Sequence, residues 1–260
     1  DGTSAGRVAG GSAKRVACDT AKHIAGAVVA ACMALLLLAS GFIACVLPST
    51  ARAIAQGTSS ADVRTAFSHD DMVSIADATR DYSFGRHDRD ALLQTIYQAK
   101  VDAAERASQA GCVLVEAPDL SGVDESDAAQ VAQALSRANE RFAYSSDALS
   151  HLDDCYHVAL TAYIALAFAA LAMIAGCVFV RDKRSIGRLL FGAGTVVLGA
   201  FAVLGAWAAL DFDGLFTVFH ELLFSQGNWT FPADSLLICA LPTDFWVGMG
   251  AVWLAVSAIA

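Results

Sequence analysis

Three uninterrupted apolar runs limit what this chain can fold into. Residues 23–47 (HIAGAVVAACMALLLLASGFIACVL), 155–180 and 189–210 contain no Asp, Glu, Lys or Arg. A membrane-spanning helix needs about 20 mostly apolar residues, and all three runs exceed that. A fourth, at 245–260, is shorter and stops at the last residue. With 56% hydrophobic and only 17% charged residues, the chain departs from the composition of ordinary soluble domains. The expected fold is an all-α integral membrane protein with four transmembrane helices. A transporter fits less well, because the runs hold no internal charges and no inverted repeat is visible.

The first run has two readings. Basic residues precede it and STARA (49–53) resembles a signal-peptide cleavage site. Its apolar stretch of about 24 residues exceeds the 7–15 of a signal h-region, which favours a retained anchor. The cations then set the orientation. The 17 Lys and Arg fall as four in 1–23, nine in 48–154, four in 181–188, and none afterwards. Short loops rich in Lys and Arg stay in the cytoplasm. The predicted layout is a cytoplasmic basic tail (1–22), span one (23–47), an extracytoplasmic segment (48–154), span two (155–180), a cytoplasmic hairpin (181–188), span three (189–210), an extracytoplasmic loop (211–244) and span four (245–260). Both termini are then cytoplasmic.

Segment 48–154 reads as a helical cap between spans one and two. Ser68 and Asp71 make a capping-box-like start, and Met72, Ile75, Ala76 and Tyr82 mark an apolar face. Asp88 is placed to cap a second helix that Gly111 ends. CVLVE (112–116) suggests a short strand within a loop, and 127–144 a third helix. Of the seven cysteines, Cys18 lies on the tail and Cys32, Cys45, Cys155 and Cys177 lie in or at the edge of spans. Only Cys112 and Cys239 lie clearly outside, where a disulfide between them is an open option.

Two histidines stand out at the outer surface. In YSSDALSHLDDCYHV, a Ser145 or Ser146 cap would start a helix on which Asp147, His151 and Asp154 share a face. His157 points elsewhere and reads as a packing histidine. In FTVFHELLFSQGNWTF, His220 and Glu221 sit among aromatics. Interfacial histidines commonly just hydrogen-bond loop carbonyls, so both segments also admit a purely structural reading. HELLF lacks the second histidine of the zinc-protease signature, so a metal site is weakly supported.

Two motifs carry a family resemblance. One is His151-Leu152-Asp153-Asp154-Cys155 after a serine-led helix start. The other is Phe219-His220-Glu221-Leu222-Leu223-Phe224, then Asn228-Trp229, then Leu241-Pro242-Thr243-Asp244-Phe245-Trp246. The chain resembles the bacterial four-span membrane family that includes the lipoprotein intramolecular transacylase. The departures are Leu152 for Met or Phe, Cys155 for Val, and a longer segment before His151. The resemblance implies that the two functional histidines are His151 and His220. It also implies a substrate that is a diacylated lipoprotein at the membrane lipid surface, with no cofactor and no nucleic acid. Asp154, Asp147 and Glu221 would be supporting residues, and Asn228 and Trp229 candidate oxyanion donors. Phe216, Phe219, Phe224, Trp229 and Phe231 would line an acyl-chain pocket or form an interfacial belt. The alternative is a non-enzymatic membrane protein whose cap binds a partner.

Overall fold

The computed structural model describes residues 3–62, 64–180, 182–224 and 226–260, with side chains from Thr20 onward. The side chains of residues 1–19 of the basic tail, Cys18 included, and Arg181 of the hairpin lie outside the described residues. Among the described residues ten helices follow one another: α1 (Thr3–Val46), α2 (Pro48–Thr58), α3 (His69–Phe84), α4 (Arg89–Gln109), α5 (Ala128–Ser136), α6 (Ser146–Val180), α7 (Lys183–Leu210), α8 (Phe212–Leu223), α9 (Leu236–Ala240) and α10 (Thr243–Ile259).

Three of them, α1 over Thr20–Val46, α6 and α7, are long and apolar enough to cross a membrane. The fourth apolar helix, α10, has 17 residues. α1 is the hub, packing on α6, α7 and α10. Small residues bring these backbones together, as helix packing in lipid requires. A Cβ at Gly41 would lie 2.3 Å from the Trp253 ring, and one at Gly176 would lie 2.4 Å from Val29. Trp253 Nε1 donates to the Leu38 carbonyl at 2.7 Å, and Cys45 Sγ to that of Met249 at 3.2 Å. The outward faces of α6 and α7 are apolar, with Phe168, Leu171, Phe191 and Val196 exposed. An exposed apolar belt of this extent is what hydrocarbon solvates.

The larger buried core lies elsewhere, among α2, α3, α4, α5, the first turns of α6 and α9. α3 starts with the expected capping box: Ser68 Oγ accepts from the Asp71 amide and Asp71 Oδ2 from the Ser68 amide. Arg106 of α4 donates to Asp71 and to the Ala66 carbonyl. The predicted face of α3 is inside, with Met72, Ile75, Ala76 and Tyr82 all buried. Asp88 caps α4, which ends before Gly111 at φ +66°.

Three expectations need correction. CVLVE forms no strand, because no neighbouring chain offers it a ladder; the isolated bridge among the described residues joins Asp62 and Phe67. The third helix covers Ala128–Ser136 rather than 127–144, since the Asn139 side chain takes the Arg141 amide and turns the chain. STARA lies within α2, a helix the sequence reading did not separate, with Ala51 buried. Cys112 and Cys239 are free thiols.

The last element of the core sets up the site. Ser145 Oγ accepts from the Ala148 amide and begins α6, which runs unbroken from the helical unit into the apolar run. Its first turns bury Ala148, Leu149, His151 and Leu152. Asp211 closes α7 and caps α8 by accepting from the Gly214 amide at 2.9 Å. The return segment after α8 is fixed to the turn before α6 by Arg141 donating to Asp234 at 2.7 Å and the Leu236 amide donating to the Glu140 carbonyl at 2.8 Å.

Candidate active site

His151 and His220, 69 positions apart in sequence, come together with ring centroids 5.7 Å apart and planes inclined by 31°. Each is only 7% exposed. His151 comes from the second turn of α6 and His220 from the third turn of α8. The α7–α8 corner at Asp211 is what brings the second ring back to the first.

Aromatic rings enclose the pair. Phe216 lies 3.9 Å from the His220 ring, Trp229 5.1 Å, Phe219 5.4 Å and Phe224 5.5 Å. Phe224 also meets His151 edge-on at 4.7 Å, with Phe231 at 5.8 Å. All five aromatics singled out from the sequence therefore touch an imidazole.

The hydrogen bonds fix one tautomer. His220 Nδ1 lies 2.8 Å from the Phe216 carbonyl. A carbonyl only accepts, so Nδ1 carries the proton and Nε2 keeps its lone pair. Burial pulls the pKa of His220 below the usual histidine value, and the bond to Phe216 offsets part of that. The ring is therefore neutral at pH 7. His151 Nε2 stands 3.6 Å from Cys155 Sγ, while its Nδ1 is buried without a partner.

The carboxylates divide. Asp154 Oδ2 accepts from Asn228 Nδ2 at 3.0 Å, and the same amide nitrogen reaches Ser150 Oγ at 3.2 Å. Asp154 thus acts on His151 through its charge rather than by a direct bond. Asp147 and Glu221 are exposed and make no hydrogen bond or ion pair among the described residues. Neither orients an imidazole. Asn228 has no N–H left for an oxyanion, whereas the Trp229 indole N–H is unengaged among the described residues. Sequence reasoning missed Ser150 and Cys155; the i, i+4 spacing of Cys155 from His151 was the available signal. Among the described residues no group of three or more His, Cys, Asp or Glu converges as metal ligands do.

Residues 127–246, which carry both histidines, Asn228 and Trp229, match the sequence profile of the family described as lipoprotein intramolecular transacylase Lit. That match, with the structural likeness, supports membership of the Lit family. The fold agrees beyond it. The in meso structure of the membrane integral lipoprotein intramolecular transacylase Lit from Bacillus cereus superposes with a TM-score of 0.63, at 15% sequence identity, over 92% of this chain and 90% of that one. The superposition therefore extends well beyond the segment that the Lit profile covers. No curated protein matches the chain in sequence.

Proposed function

We propose that this chain is a lipoprotein intramolecular transacylase working at the outer leaflet of a bacterial plasma membrane. In this reading α1, α6, α7 and α10 are its four spans, both termini are cytoplasmic, and α2 to α5 form the extracytoplasmic cap. The substrate is a lipoprotein whose N-terminal cysteine bears a thioether-linked diacylglycerol. One fatty acyl chain moves from a glycerol ester to the cysteine amine, leaving a lyso-form lipoprotein.

The observation that carries this reading is the contact of His151 with His220 inside one aromatic enclosure. The reaction requires an ammonium to lose its proton, an oxyanion to be stabilised and an alkoxide to be protonated. Two imidazoles near 5.7 Å are close enough for one tetrahedral centre to exchange protons with both. In His220 the atom available for that exchange is Nε2, since Nδ1 is held by Phe216. The Trp229 indole N–H is the candidate oxyanion donor. Nucleophile and ester belong to one molecule, so holding them in reacting geometry is worth up to about 7–11 kcal/mol. The aromatic walls exclude water, which would otherwise compete with the amine, and they accept the acyl chain.

The test is mass spectrometry of one reporter lipoprotein in a host lacking other N-acylating enzymes. Expression of this chain should convert it to the N-acylated lyso-form. An unmodified diacyl reporter at full expression contradicts the assignment.

A further inference from the structure

The carboxamide of Asn228 is oriented by what it touches. A carboxylate accepts only, so the amide nitrogen must be the atom 3.0 Å from Asp154 Oδ2, and the same nitrogen meets Ser150 Oγ at 3.2 Å. Both N–H groups are thereby engaged. What remains is Oδ1, which is buried without a partner among the described residues. Leaving a buried acceptor unpaired is costly, and such atoms in native folds call for an explanation. Asp154 bonds through Oδ2 alone among the described residues, so its Oδ1 is a second open acceptor on the same bonded pair of side chains. Ser150 and Asp154 flank His151 on α6, and Trp229 stacks on His220. The two open acceptors therefore sit on the His151 side of the pair.

We infer that Asn228 Oδ1 and Asp154 Oδ1 form the seat for the α-ammonium of the substrate. The inference rests on the transacylase reading and deepens it. It also reverses the oxyanion-donor role that residue type alone suggested for Asn228. The seat assigns the histidines. The seated ammonium gives one proton to His151, and the freed lone pair attacks the ester carbonyl. The carbon–nitrogen bond forms, the second amine proton passes to the free lone pair of His220 Nε2, and the carbon–oxygen bond breaks as that imidazolium returns the proton to the departing glycerol oxygen. His151 gives up the first proton when the product leaves. Asn228 and Asp154 are positioning residues for the amine, not proton carriers.

The experiment measures direct binding of a short diacylated lipopeptide with a free α-amine, and of its desamino twin, to the full chain in lipid nanodiscs. The wild type should bind the amine form about 10- to 100-fold more tightly, the range of hydrogen bonds to a charged group. Asn228→Leu and Asp154→Asn should each shrink that preference to within about threefold without weakening the desamino twin. His220→Ala should abolish product yet keep the preference. If Asn228→Leu does not fold, Asp154→Asn decides. Equal binding of the two peptides by the wild type, or full preference in the folded variants, overturns the seat. Product formation is read separately. An intact preference with no N-acylated product removes the transacylase reading and leaves the seat, and product without preference does the opposite.

Discussion

Two faces of α6 meet histidines wrapped in aromatic rings, and the two environments differ in one respect. On one side His87, from the α3–α4 turn, is stacked between Tyr82 at 4.4 Å and Tyr156 at 3.9 Å. Both of its nitrogens are occupied: Nδ1 donates to the Tyr82 carbonyl at 2.9 Å and Nε2 faces Asp153 at 3.7 Å. The Tyr82 hydroxyl also donates to Asp153. Around the other face, His151 and His220 are as thoroughly wrapped in rings, but among the described residues His151 Nδ1 is buried without a partner and His220 bonds through Nδ1 alone. Aromatic enclosure alone therefore does not mark chemistry. A satisfied histidine clamps the α3–α4 turn to α6, whereas an unsatisfied pair has lone pairs and protons to exchange.

Exchanging the two environments in variants is the sharpest way to break this contrast. His151→Gln or His220→Gln should lower the rate of N-acylation by about 10²–10⁴-fold, read by mass spectrometry of a lipopeptide, while leaving thermal stability nearly unchanged. Trp229→Phe keeps the ring and removes the N–H, and should cost about 10²–10³-fold in kcat at constant KM. His87→Ala should do the reverse. Losing its hydrogen bonds should cost about 1–3 kcal/mol of stability, seen as a lower Tm in detergent, with kcat within about twofold of wild type. A large kcat loss in that variant would merge the two environments.

Lys100 sharpens the comparison from a third position, because it is a buried cation outside any site. The residue is 1% exposed, and its ammonium lies 4.4 Å from the Phe142 ring with no ion pair to a carboxylate among the described residues. Burial pushes its pKa down to about 8. The unfolded value is about 10.4, so between these the unfolded chain holds more protons and stability rises with pH. Below pH 8 the penalty is fully present. Lys100→Met should therefore raise stability at pH 7 by about 1–2 kcal/mol and abolish the gain in Tm between pH 8 and 10. An unchanged pH dependence would show that Lys100 is not what titrates.

How much of this was legible beforehand follows from how local each determinant is. The apolar runs, the Ser68–Asp71 box and the Asp88 cap act within a turn or a span, and each was readable. α5 stopped short because Asn139 offers the backbone a turn in place of another helical turn, a choice composition does not advertise. α8 was hidden because its start depends on Asp211 serving two helices at once. The histidines were identifiable by their aromatic neighbours and by resemblance. Their partners were not, since Asn228 is held by residues 74 and 78 positions away. Helical spacing did not distinguish Asp154, which is bonded to Asn228, from Asp147, which faces solvent; only the family motif singled out Asp154.

A kinetic double-mutant cycle tests the claim that His151 and His220 act as one catalytic unit most directly. It compares the N-acylation rates of wild type, His151→Gln, His220→Gln and the double variant on one purified lipopeptide. If the rings share a reacting centre, either single change removes nearly all the rate and the double variant is no slower than the worse single, because groups that act as a unit are not additive. Independent, multiplying losses, or a single variant that keeps most of the wild-type rate, would contradict it.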